Sequence, residues 1–174
     1  MRPPSPPEAW LCGPLPGIDP LLMPAAHALV QAREDIAATL AETAPLELWV
    51  RPGGAASAGF HLRHLAGSLD RLLTYARGER LSPGQLATLE REAEAGASAE
   101  ELGRLTSVAI DRALEQLRTT STSTLGDVRP VGRAGLPATV LGLLIHAAEH
   151  ASRHTGQCIT TLKIVRGLGL ATPA

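Results

Sequence analysis

Apolar positions recur at helical spacing near the C-terminal end of the chain. Leu136, Val140, Leu143, Leu144, Ala147, Ala151, Cys158, Leu162 and Val165 form one stripe, with Glu149, Ser152, Arg153 and Lys163 opposite. A second stripe, Leu62, Leu65, Leu69, Leu72 and Ala76, follows the loop Arg51-Pro-Gly-Gly-Ala-Ala-Ser57 and stops before Gly78. The patterns predict helices near 58–77 and 136–166, the latter with Gly167 beyond its end. Asp19-Pro20 reads as an N-cap with a proline in the first turn, opening a helix over 20–43 that ends before Pro45. Ser82-Pro-Gly-Gln85 and Ser98-Ala-Glu-Glu101 fit capping boxes and predict a short helix near 83–95 and a longer one over 99–119.

Residues 119–135, rich in Thr, Ser and Gly with Pro130, read as a long crossover loop before the last helix. No segment carries a convincing strand pattern and no internal repeat is visible. The expected fold class is all-α: a four-helix bundle with a short extra helix. One domain over 19–168 follows a Pro/Gly-rich arm (1–18), which Trp10, Leu11 and Leu15 are expected to pin, and precedes a tail (169–174).

Composition narrows the function. The 174 residues carry a net charge of −1, with one Phe, one Tyr and two Trp. Neither an electrostatic footprint for nucleic acid or an anionic membrane nor a base-stacking platform is expected. Cys12 and Cys158 are far apart and belong to no Cys-x-x-Cys pair. No apolar run reaches the ~18 residues of a membrane span. Pro3, Pro4, Pro6 and Pro7 stand where a secretory leader needs an apolar stretch, so a soluble cytoplasmic protein is expected.

The candidate chemistry lies in the histidines. Three of the six, His146, His150 and His154, stand at four-residue spacing in the last helix. Each step of four advances about one turn with ~40° of drift. His154 therefore falls inside the apolar stripe, His150 roughly 60–80° off its centre, and His146 at ~115°, near solvent. His146 and His154 are also ~12 Å apart along the axis, too far to share one ion directly. The inward pair is His150 and His154, and a third ligand must come from another helix. The second helix offers His61 and His64 on one flank of its stripe, with His61 slightly preferred by the wheel. His27 reads as an ordinary hydrogen-bonded histidine. Three neutral imidazoles and an open position for water suit one divalent ion: Zn²⁺, Ni²⁺ or Fe²⁺.

With His150-x-x-x-His154-Thr-Gly156-Gln157 in the last helix and His64-Leu65-Ala66-Gly67 in the second, the chain resembles the DinB-like family of metal-binding four-helix bundles, over about residues 20–168. The resemblance assigns the metal to His64, His150 and His154, leaving His61 and His146 as neighbouring or substitute ligands. Gln157, three residues after His154, is a candidate for orienting a ligand, or else for an inter-helix hydrogen bond. Cys158 reads as a small buried hydrophobe before a thiolate ligand. Asp70 reads as a solvated charge, and Arg129 and Arg133 as loop cations with a weak claim on an anionic substrate.

What the resemblance implies about activity is a metal-dependent enzyme acting on a small molecule. One form is a transferase joining a low-molecular-weight thiol to an electrophile. The other is a hydrolase, for which no carboxylate is clearly placed as base. The alternative is a non-catalytic metal-binding or stress-response module; homodimerisation through the helices is a further implication. His146-Ala-Ala-Glu149-His150 also satisfies the His-x-x-Glu-His peptidase pattern. That pattern needs an acidic ligand downstream, and no Asp or Glu follows Glu149.

Overall fold

The structure, a computed structural model, describes residues 7–171. The first six residues, including the prolines at 3, 4 and 6, and the tail beyond 171 lie outside it. Five helices follow in order: α1 (Met23–Ala41), α2 (Ala58–Ala76), α3 (Pro83–Glu90), α4 (Ala99–Thr119) and α5 (Val140–Gly167). Four long helices and one short one match the bundle expected from the stripes.

The boundaries hold where a side chain caps the backbone. Ser57, Ser82 and Ser98 each accept a hydrogen bond from the amide three residues on, and Gln85 and Glu101 close the reciprocal half of their boxes. They move where a side chain bonds elsewhere. The helix expected from residue 20 begins at Met23, because the Asp19 carboxylate accepts from the amide of Leu21, two residues on, and holds a turn there. The short helix expected to reach 95 ends at Glu90. The Arg63 guanidinium donates to the carbonyls of Arg91 and Glu94, holding the chain as it turns away.

The crossover loop contains a structure the pattern did not predict. Strands β1 (Val128–Val131) and β2 (Leu136–Thr139) form an antiparallel hairpin, with Val128 opposite Thr139 and Val131 opposite Leu136. Pro130 faces Pro137, which a two-stranded ribbon tolerates because both strands are edges. Gly132 and Gly135, with φ of 69° and 61°, turn the chain in the left-handed region. Leu136 is thereby an exposed strand residue, not part of the helical stripe, and α5 begins four residues later than expected. Thr139 caps it, accepting from the amide of Gly142 at 3.0 Å.

Around the bundle the helices follow the order α1, α5, α2, α4. α2 and α5 are antiparallel, since His61 meets His154 and His64 meets His150. α2 and α4 are parallel: Gln116 near the end of α4 donates to the Leu73 carbonyl near the end of α2. α3 returns the chain between this pair. Leu22, Leu29, Leu62, Leu65, Leu69, Leu102, Ile110, Leu117, Leu144, Leu162 and Val165 fill the centre. Of the three residues expected to pin the arm, only Leu15 packs against the core. Ala9 and Ile18 are buried and Leu15 is partly so, whereas Trp10 and Leu11 remain 61% and 58% exposed. Among the described residues no helix is long and apolar enough to cross a membrane.

Candidate metal centre

The α2–α5 interface brings His64, His150 and His154 together, with one ring nitrogen from each lying within 4.8 Å of the others. His64 Nε2 stands 3.1 Å from His150 Nε2, and the His154 ring centroid is 4.6 Å and 4.5 Å from those of His64 and His150. Two nitrogens sharing one tetrahedral ion at bonds of ~2.0–2.1 Å stand about 3.3 Å apart, close to the His64–His150 spacing. His61 lies behind this group, its Nδ1 3.1 Å from Nδ1 of His154. His146 is a turn away in solvent, paired with Glu149 at 3.2 Å.

One side of His64 is fixed by a residue that sequence pattern did not single out. Glu92, 3% exposed, accepts from His64 Nδ1 through Oε2 at 2.7 Å and from Arg71 Nη1 through Oε1 at 2.6 Å. A carboxylate on Nδ1 places the ring proton there and leaves the Nε2 lone pair facing His150. Gly67 makes this possible: a Cβ at that position would run into the Glu92 carboxylate and lie 2.8 Å from Arg71 Nη1. Phe60 stacks on His64 with the ring planes nearly parallel and the centroids 5.4 Å apart, and restricts one face of the ring.

Electrostatically the cluster favours uncharged rings. Burial, followed by the neighbouring His64 and then by His150 and His61, pushes His154 down to about 3. Burial first and His64 second also lower His150 and His61. Neutral imidazole is the form that ligates a cation. Among the described residues, His150 Nδ1 is a buried polar atom with no hydrogen-bond partner. Three imidazole nitrogens this close together, two of them on rings whose pKa burial lowers, form a donor set that fits a bound cation. Cys158 does not join the three; it lies one turn further along α5, where burial raises its thiol to about 12.

The remaining candidates lie elsewhere. Gln157 is exposed, and its side chain makes no hydrogen bond among the described residues. Asp70 is exposed and accepts from Gln85. Arg129 donates to the carbonyl of Ala76, twelve residues beyond His64 and thus ~18 Å along α2. Arg133 is exposed at the hairpin turn. His27 meets the Gly13 carbonyl at 2.9 Å, as an ordinary histidine would. Glu149 is exposed and ion-paired with Arg153, so it does not serve the cluster as the peptidase pattern would require.

The sequence matches the DinB superfamily over residues 28–158, which include all three clustered histidines. The chain belongs to the DinB superfamily. Its fold is shared by the crystal structure of a conserved protein from Enterococcus faecalis, with a TM-score of 0.64 at 20% identity, covering 82% of this chain and 95% of that one. Comparison with curated proteins gives no match. For this DinB-superfamily chain, membership and the three-histidine cluster are together compatible with metal binding.

Proposed function

We propose that this protein is a metal-dependent enzyme that holds one divalent ion, Zn²⁺, Ni²⁺ or Fe²⁺, on His64, His150 and His154 and acts on a small molecule, with a low-molecular-weight thiol as its co-substrate. The supporting observation is the set of three imidazoles converging on one point, one of them braced by a buried carboxylate. A divalent ion in such a set lowers the pKa of a thiol or water that binds to it. The chain supplies the rest. Glu92 holds the His64 tautomer, Phe60 limits ring rotation, and the partly exposed edges of His64 and His150 give access from solvent. A transferase is favoured over a hydrolase because the nearby carboxylates are engaged, Glu92 by His64 and Arg71 and Glu149 by surface cations.

Metal analysis of protein prepared without a polyhistidine tag tests the first half, with His64→Ala, His150→Ala and His154→Ala alongside. The wild type is expected to carry about one ion and each variant to lose most of it; stoichiometric metal in all three variants sinks the site. A thiol–electrophile screen of metal-loaded and stripped protein tests the second half.

One observation favours a second reading, a non-catalytic metal module. His61, 7% exposed, meets His154 at 3.1 Å and would become a fourth ligand if the set closed around an ion. His61→Ala separates the two. A catalytic site keeps its metal and its thiol chemistry in that variant, whereas a closed four-histidine site loses affinity.

A further inference from the structure

α3 and α4 both flank α2 without packing closely on each other, and between them lies a cleft of about 670 Å³. Glu92 separates it from the histidines, so the two sites stand back to back across one side chain. Ala66, Gly67 and Leu73 of α2 form the floor. Leu105, Val108 and Ala109 form the α4 wall, and the first two leave more than two-fifths of their surface to solvent. Arg112 continues that wall at the spacing i, i+3, i+4, i+7, which puts all four residues on one face.

Charge is distributed unevenly along the cleft. At one end Arg63 and Arg91 stand with Glu94. Asp70 accepts from Gln85, and both oxygens of Glu92 are engaged. At the other end Arg77 is held by Glu79 and Gln116, while Arg112 is exposed with no hydrogen bond or ion pair among the described residues. An uncommitted guanidinium at the end of an apolar wall is complementary to a molecule with an anionic head and an apolar body. From Arg112 back to Leu105 is seven residues, ~10 Å along the helix and roughly the reach of an eight-carbon chain.

We infer that this cleft binds a medium-chain amphipathic carboxylate, its head on Arg112 and its chain along Val108, Ala109 and Leu105. Decanoate is the probe, titrated calorimetrically into the full chain with 1-decanol as the uncharged control. Saturable binding at one site is expected. Arg112→Glu, at an exposed position that removes no native contact, is expected to weaken it about tenfold or more, and Val108→Asp to do the same. The alcohol is expected to bind far more weakly than the acid. Absence of saturable binding overturns the inference, as does unchanged affinity in either variant or equal affinity for the alcohol. Titrating chelator-treated as well as zinc-loaded protein keeps the result separate from the fate of the histidine centre.

Discussion

Glu92 takes its importance from two contacts made by one carboxylate, with Arg71 on one oxygen and His64 on the other. Replacing it with Gln keeps the size but weakens its hold on the His64 ring, and strands a buried guanidinium. Glu92→Gln is expected to lower metal affinity by about 10- to 100-fold, read by competition with a chromophoric chelator. The same cluster sets an acid limit on the metal-free fold. His154 titrates near 3 in the folded chain but near 6.5 once unfolded, so between those values the unfolded chain binds the additional proton. Stability of the stripped protein is therefore expected to fall as pH drops below about 6.5 and to continue falling toward about 3. Denaturant titrations across that window check this, and His154→Asn is expected to flatten the slope.

Among the elements, the short return of α3 governs the site from outside the bundle. Its early end lets residue 92 turn inward, and Gly67 provides the space. Gly67→Ala forces the carboxylate and guanidinium to shift, so both thermal stability and metal affinity should fall, while Gly156→Ala, which meets no atom, serves as the control. The hairpin fixes the opposite boundary: Thr139→Ala is expected to cost about 1 kcal/mol in chemical denaturation through loss of the α5 cap. These elements also mark what the sequence could reveal. Stripes and capping boxes report local periodicity, so α2, α4 and most of α5 were legible, as was the inward pair His150 and His154. The hairpin was not, because Pro130 and Pro137 obscure a strand pattern that survives only on a two-edged ribbon. Nor was Glu92. In the run Glu90-Arg-Glu-Ala-Glu94 the acids are indistinguishable from a solvated face, and the inward one is selected by tertiary partners. The choice between His61 and His64 was open for the same reason. A wheel reports angle on one helix, whereas convergence depends on where α5 lies.

The whole molecule is a leucine-filled bundle in which α2 touches both α4 and α5. Leu62→Ala, at the fully buried centre of α2, is expected to destabilise it by roughly 2–5 kcal/mol, measured by urea unfolding. Function and stability meet in the topology. His64 and His150 are neighbours in space but 86 residues apart in the chain. An ion joining them would close a loop of about half the protein, much as a covalent cross-link does, and would bind the folded chain in preference to the unfolded one. At a free concentration 100 times its dissociation constant it would add about 2.7 kcal/mol to the folding free energy. The melting temperature should then climb with the concentration of added zinc in the wild type and stay level in His150→Ala. In this architecture the centre is a clasp between the two halves of the chain, and metal supply becomes a determinant of how long the protein persists.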